Sequence, residues 1–432
     1  MRMVLIFGLL AGIWGCQRQD ADSISNESAA VEAVAKPLSP PAAEKLEQAK
    51  QSIERHELKQ AVALLDAAIA TDPDVAELHF RKAGVLADLG NESEALAAFD
   101  RALELDAGVA RFWNTRGFYH LSLAHFDDAL RDFQKAFTID PEYKQAHNNY
   151  GLAYISTAQF AEAVASLKRA LEIDPDYADA RNNLGYAYLQ QGRWDDALVE
   201  FDKVIEFDPN YVNAYNNRGM IMHRLINYDK AISDFSEAIV REPENPKFYL
   251  QRRDSYIALQ MLDEAKADEE KVRWLTGLVE HHETVRRYPD DVQSYLARAA
   301  YYESAGQYQP AIKDVSQALM LDEKNEQPLL FRARLRLKTK AWNEAIEDCC
   351  QVIELSPTHH EAYSVRGDAY LQKGDMDKAI ADYEQARRFD ADVALAFWLR
   401  AEQHEKAGAI EAASADRDRA RKIDPTLAER PE

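Results

Sequence analysis

Residues 110–143 read ARFWNTRGFYHLSLAHFDDALRDFQKAFTIDPEY, and the pattern inside this stretch returns along the chain. Its fixed points are Trp113, Gly117, Ala129, Phe133, Ala136 and Pro141. Alanines in step with Ala129 stand at Ala61, Ala95, Ala163, Ala197, Ala231, Ala265, Ala311, Ala345, Ala379 and Ala413. Every gap is 34 residues except the one from Ala265 to Ala311, which is 46. A period of 34 is too long for a heptad and fits one helix-turn-helix unit. Such a unit cannot bury its apolar face alone and must stack on its neighbours.

The positions around each alanine carry the packing. Twelve residues before it comes a small residue, as in Gly117, Gly151, Gly185, Gly219 and Gly367, where two helices need a close approach. Four residues after it stands a large apolar side chain (Phe99, Phe133, Leu167, Phe201, Phe235, Val315, Tyr383), and three further on another small one. Spacing of i, i+4, i+7 is one helical stripe. Prolines such as Pro141, Pro175 and Pro209, each preceded by Asp, close many units where the missing N–H is tolerated.

These residues resemble the signature of the tetratricopeptide repeat family, and the resemblance covers roughly residues 42–427. It implies an all-α, right-handed α-solenoid of about eleven 34-residue helix-turn-helix units, interrupted by one 12-residue insertion, and a protein-binding scaffold rather than an enzyme. The insertion falls after the second helix of a degenerate unit. Val272, Leu275, Leu278 and Val279 keep helical periodicity through residues 262–288, with Gly277 as a kink point, so one long helix or two are expected there. The break divides the array into an N-terminal subarray, 42–291, and a C-terminal one, 292–427, followed by a short tail, 428–432.

Composition narrows the function classes. Lys plus Arg total 52 against 74 for Asp plus Glu, a formal charge of −22, which opposes nucleic acid and anionic lipid as partners. The repeat leaves no stretch large enough for a catalytic domain. A Gly-rich phosphate loop and a nucleophile elbow are both missing from the sequence, and no cofactor is expected. No metal is expected either, because His281-His282 and His359-His360 are adjacent pairs, whereas one helical face needs i, i+3 or i, i+4 spacing. Cys349 falls at the large apolar core position, and a vicinal disulfide with Cys350 would be strained.

The N-terminus is a different kind of segment. Arg2 precedes an apolar run from Met3 to Gly15, too short to span a bilayer and suited to a signal peptide, 1–15. Ile13-Trp14-Gly15-Cys16 resembles the bacterial lipobox, from which bulky Trp14 departs. Cys16 is the expected lipid attachment site, and residues 16–41 read as a disordered, lipid-anchored linker. Gln17 after the cysteine resembles the sorting signal for an outer membrane. The expectation is export to the cell envelope, with membrane contact through the N-terminal lipid only.

Seven arginines share one repeat position, and each has an Asp 16 residues later: Arg116 with Asp132, Arg218 with Asp234, Arg252 with Asp268, Arg298 with Asp314, Arg332 with Asp348, Arg366 with Asp382 and Arg400 with Asp416. Where the first is Tyr150 or Leu184, the second is Ser166 or Glu200. The co-variation between units predicts structural ion pairs across the two helices of one unit.

In the family this chain resembles, the first helix of each unit lines a concave groove. Its fifth position holds Asn114, Asn148, Asn182 and Asn216, its sixth Asn149, Asn183 and Asn217, and its ninth Phe118, Leu152, Tyr186 and Met220. A ladder of exposed amides could pair with the backbone of an extended peptide, while the plainer alternative is that the amides satisfy local polar groups. Past the insertion, Leu296, Leu330, Phe331, Arg334 and Trp398 predict a second groove suited to an amphipathic helix. The reading is a non-catalytic scaffold for other proteins or peptides at an envelope membrane. Its alternatives are a self-associating structural protein and an assembly factor of a secretion or pilus system.

Overall fold

The computed structural model describes residues 37–429. The signal peptide, Cys16 and most of the linker therefore lie outside the described residues. Among those described, 22 α-helices and no strand occur, in eleven antiparallel pairs. They are α1 Pro40–Glu54, α2 Leu58–Thr71, α3 Ala76–Asp88, α4 Glu92–Leu105, α5 Ala110–Ser122, α6 Phe126–Ile139, α7 Lys144–Ser156, α8 Phe160–Ile173, α9 Ala178–Gln190, α10 Trp194–Phe207 and α11 Val212–Arg224. The series continues with α12 Tyr228–Arg241, α13 Pro246–Ala258, α14 Leu262–Arg287, α15 Val292–Ser304, α16 Tyr308–Leu321, α17 Glu326–Lys338, α18 Trp342–Leu355, α19 His360–Lys373, α20 Met376–Ala386, α21 Ala391–Lys406 and α22 Ile410–Ile423. The chain is thus an α-solenoid, each second helix carrying one of the eleven periodic alanines.

Close helix approach explains the small residues. Ala129 and its counterparts are buried, and a Cβ added at Gly185 would sit 2.7 Å from Cε1 of Phe201, itself fully buried. Within a repeat, the glycine of the first helix is the hole and the large apolar residue of the second is the knob. Burying each such ring contributes roughly 1.5–3 kcal/mol.

The turn inside every repeat is the same. A left-handed residue follows each first helix, glycine at Gly90, Gly192, Gly306, Gly374 and Gly408 and non-glycine at His56, Ala124, Ala158, Ile226, Gln260 and Lys340. In the third repeat Ala124 N–H donates to Leu121 O at 3.0 Å and His125 N–H to His120 O at 2.8 Å, the double closure of a helix C-cap. Between repeats the Asp-Pro pair does the turning. Asp140, Asp174 and Asp208 each accept a hydrogen bond from the backbone N–H two residues on, at 3.0–3.1 Å.

Two boundaries and the kink at Gly277 differ from expectation. Pro40 and Pro41 open α1, where their missing N–H groups cost nothing, so helix begins inside the segment assigned to the linker. The insertion is one 26-residue helix, α14, unbroken at Gly277. A Cβ at that glycine would meet Tyr301 Oη at 2.2 Å, and Tyr301 donates to the carbonyl of Trp274 at 2.9 Å, so Gly277 makes room for a neighbour rather than a kink. The third is the division into two compact bodies, which falls between Val272 and Arg273, inside α14, rather than at 291. The cause is packing, because Leu278 joins the core formed by Leu296, Ala299, Val315 and Leu330, with Trp274 against it. At the C-terminus a 3-10 turn, Pro425–Glu429, returns Leu427 to the core and closes the last repeat.

Candidate binding face and its polar supports

In the N-terminal body the first helices of successive repeats touch one another, α5 with α7, α7 with α9, α9 with α11 and α11 with α13. Successive second helices make no comparable contact, so the first helices line the inner side of this stack. The asparagines sit at the seam between them. Asn149 Nδ2 donates to Asn114 Oδ1 at 3.1 Å, Asn183 Nδ2 to Asn148 Oδ1 at 3.0 Å, and Asn217 Nδ2 to Asn182 Oδ1 at 3.1 Å. Asn148 and Asn216 also donate to their neighbours Asn149 and Asn217, at 3.3 and 3.4 Å. The sixth-position amide of each repeat thus bonds the fifth-position amide of the repeat before it.

This corrects the expectation of exposed groove amides. Six of the seven are buried, Asn216 to 1% exposure, and only Asn183 is half-exposed. The physical reason is that adjacent first helices approach closely enough to exclude water, after which the amides must satisfy one another. Asn216 Oδ1 is the exception, buried with no hydrogen-bond partner. What the inner face leaves accessible is the ninth position: Phe118, Tyr186 and Met220 are half-buried, whereas Leu152 is buried.

The second groove is corrected more strongly. Leu296, Leu330, Phe331 and Trp398 are all buried, the first three in the core around Val315 and Trp398 in the core around Tyr383. The guanidinium of Arg417 lies over the Trp398 ring at 5.2 Å, capping it in place of an apolar neighbour. Arg334 alone of that set is exposed, paired with Glu361 at 2.9 Å. Arg334 lines a cleft of about 390 Å³ with Glu303, Leu337, Lys338, Val365, Asp368 and Gln372. The inner face of the C-terminal body is therefore charged in both signs rather than apolar.

The periodic arginines make contacts in two directions. Nε and Nη2 of Arg116 hold both carboxylate oxygens of Asp132, at 2.8 and 2.7 Å, and the same fork recurs at Arg218–Asp234, Arg252–Asp268, Arg298–Asp314, Arg332–Asp348, Arg366–Asp382 and Arg400–Asp416. In five of the seven the remaining Nη1 reaches 16 residues back, to the second helix of the preceding repeat. Its partners there are Asp100 for Arg116, Asp202 for Arg218, Ser236 for Arg252, Ser316 for Arg332 and Cys350 Sγ for Arg366. That inter-repeat arm was not read from the sequence, although Asp100, Asp202, Ser236, Ser316 and Cys350, each 16 residues before its arginine, are its trace. Hydrogen bonds donated to the Asp234 carboxylate raise the Arg218 guanidinium well above its ordinary pKa.

Repeats without the arginine use substitutes. Arg181 meets Glu200 at 2.6 Å, and Tyr154 donates to Tyr150 Oη at 2.9 Å, where burial pushes the Tyr150 phenol up to about 12. The adjacent histidines are similarly occupied. His282 Nε2 meets Tyr302 Oη at 2.9 Å, His359 accepts from Ala362 N–H and His360 donates to Gln385 O. Cys349 is core filler, its thiol pKa raised by burial. A group of metal-ligand types not expected from the sequence, His120, His125 and Asp128, meets at the turn between α5 and α6. No helix among the described residues is long and apolar enough to cross a membrane.

Models of the tetratricopeptide repeat match residues 52–117, 110–143, 151–192, 185–225 and 367–408. Among curated proteins none matches the sequence. Solved structures similar in fold include a tetratricopeptide repeat protein from Parabacteroides merdae, with 20% identity over 55% of this chain and 94% of that one at a TM-score of 0.48. PilW, described as a type IV pilus biogenesis factor, has 23% identity over 48% and 96%, TM-score 0.44. YrrB, described as having an unusual peptide-binding site, has 27% identity over 41% and 92%, TM-score 0.34.

Two outcomes test these supports. Changing Asn149, Asn183 and Asn217 together to Ala is expected to lower the urea midpoint of unfolding, with the unfolding free energy falling by about 0.5–1.5 kcal/mol per lost bond and up to about 3 kcal/mol where a buried carbonyl is stranded. An unchanged midpoint would mean water already serves these amides. For Arg218 and Asp234, either single apolar replacement is expected to cost about 1–4 kcal/mol and the double replacement less than the sum, as a double-mutant cycle reads.

Proposed function

This chain belongs to the tetratricopeptide repeat family, and from that premise we propose that it is a non-catalytic scaffold holding an extended partner segment on the inner face of its N-terminal body, tethered to an envelope membrane by a lipid on Cys16. Proteins of this fold bind other proteins or peptides, and no enzyme family is indicated among the matches. The observation that carries the binding-face assignment is the contrast along one surface. The amides at the fifth and sixth positions are turned inward on each other, while Phe118, Tyr186 and Met220 remain partly accessible on successive or alternate first helices.

Partner side chains that are apolar would settle on these three residues, and the half-exposed Asn183 between them supplies an amide for the partner's backbone. Recognition by the whole asparagine ladder is not part of this reading, because breaking a buried amide pair to bond a peptide exchanges one hydrogen bond for another with little net gain. The C-terminal body offers a different surface. Its cleft, with Arg334 and Lys338 facing Glu303 and Asp368, suits a charged segment rather than an amphipathic helix. Support for the tether comes from sequence alone: Arg2, the apolar run to Gly15, Cys16, and the Ser-, Ala- and Pro-containing segment after it.

Photo-crosslinking from position 186 on membranes identifies the partner, and capture of that partner is then compared between variants. Phe118→Ser, Tyr186→Ser and Met220→Ser together are expected to weaken capture at least tenfold in protein whose helical circular dichroism matches the wild type. Capture at wild-type strength would sink the binding face, and crosslinks only to a second copy of the chain would favour self-assembly instead.

For the tether, Cys16→Ser is expected to release the mature protein from membranes or leave the precursor uncleaved. Intact-mass measurement of the native protein showing Cys16 present without lipid would contradict it.

A further inference from the structure

The turn between α5 and α6 brings together three side chains that neither the stack nor the binding face uses. The C-cap closure through Ala124, with φ of 59°, bonds His125 N–H to His120 O, so two residues five apart in sequence face each other. Here both are imidazoles, with ring centroids 5.7 Å apart. Asp128 stands three residues after His125, in the first turn of α6, where an acidic side chain turns back toward the residue that starts the helix. One donor atom from each of the three lies within 4.8 Å of the other two.

Two observations set this cluster apart from a chance meeting of polar surface groups. The Nδ1 atom of His120 is buried and has no hydrogen-bond partner among the described residues. The same turn also occurs in the other ten repeats, and none repeats the set. The place of His120 is taken by Tyr154, Tyr188, Tyr256, Tyr302 and Tyr370 in five of them, and His404 in the last repeat is followed by Ala409 and Ala412 at the other two places.

We propose that His120, His125 and Asp128 bind a borderline divalent transition-metal ion of the zinc class, with water completing its shell. Two imidazoles and one carboxylate match the preferences of such ions, whereas Mg²⁺ and Ca²⁺ select all-oxygen sites. A tetrahedral ion with ligand bonds of about 2.0–2.2 Å needs donors about 3.3 Å apart. The exposed His125 ring and the Asp128 carboxylate close the difference from 4.8 Å by side-chain rotation. Asp128 now contacts Arg131, whose side chain is largely exposed and yields to solvent. Asp132 is not a ligand, because Arg116 holds both of its oxygens.

The site is tested by Zn²⁺ titration of the full chain against a chromophoric chelator, with Co²⁺ as the spectroscopic probe and Mg²⁺ as the control. Expected is one Zn²⁺ site whose affinity falls at least tenfold in each of His125→Ala, Asp128→Asn and His120→Tyr, the last installing the residue that five other repeats carry. His125 is exposed, so His125→Ala keeps the fold, which helical circular dichroism verifies. The variant with Cys16→Ser, Cys349→Ala and Cys350→Ser is expected to bind as the wild type does. Absence of Zn²⁺ binding, equal affinity in His125→Ala, or loss of the site in the cysteine variant instead would each overturn the assignment.

Discussion

A single 34-residue helix pair cannot cover its own apolar faces, so contact between neighbouring repeats is the constraint on which the remaining structure depends. Within each pair the Gly-to-Phe fit closes one face, as at Gly185 and Phe201. The other face must be closed by the next pair, and the closeness of that contact decides which polar groups remain wet. Asn148 and Asn149 in α7, with Asn114 in α5, Asn182 in α9 and Asn216 and Asn217 in α11, fall on the dry side. Once there, an unpaired amide would cost more than a paired one returns, since the net worth of a hydrogen bond is near 1 kcal/mol and a stranded group loses up to about 3. The relay from Asn183 through Asn148 and Asn149 to Asn114 follows from that asymmetry.

The same reasoning explains the arginines. A buried ion pair adds little stability over well-packed apolar residues, but it fixes geometry because misplacing either partner leaves a charge unpaired. Arg116 and Arg218 each join three helices: their own, the second helix of the same repeat through Asp132 or Asp234, and the second helix of the preceding repeat through Asp100 or Asp202. A stack of otherwise similar surfaces has few features to define its register. Forked guanidiniums on the second-helix side and amide relays on the first-helix side define it from both sides.

Periodicity made the fold legible, because a repeat that must stack leaves its apolar positions in phase over the whole chain. The pairing of Arg and Asp was legible for a related reason: the two positions change together between repeats, at Tyr150 with Ser166 and at Leu184 with Glu200. What the sequence concealed was water. Leu330 and Trp398 occupy positions that line a groove in outline, yet both are buried, because exposure depends on how near the adjacent helix lies and that distance is not written in one helix's pattern. The histidine cluster was hidden differently. A search for i, i+4 ligands assumes one continuous helix, and His120 and His125 meet only because a left-handed residue at Ala124 folds the chain back on itself.

Stacking also determines where such an array is free to vary. Substitution at a Gly-to-Phe contact opens the core of its repeat and substitution at an amide relay disturbs two repeats at once, so chemistry specific to one repeat has to appear elsewhere. Two kinds of position meet that condition. One is the ninth residue of the first helix, where Phe118, Leu152, Tyr186 and Met220 differ in size and polarity while the backbone beneath them repeats. The other is the residue pair facing across the C-cap, which is Tyr188 under the Arg193 guanidinium in one repeat and His120 beside His125 in another. The turn's own hydrogen bonds are made by backbone alone, so its geometry survives any side chains placed there. A cap that brings two arbitrary side chains together at fixed separation, eleven times along one chain, supplies a ready frame on which a single repeat can carry a site that the others lack.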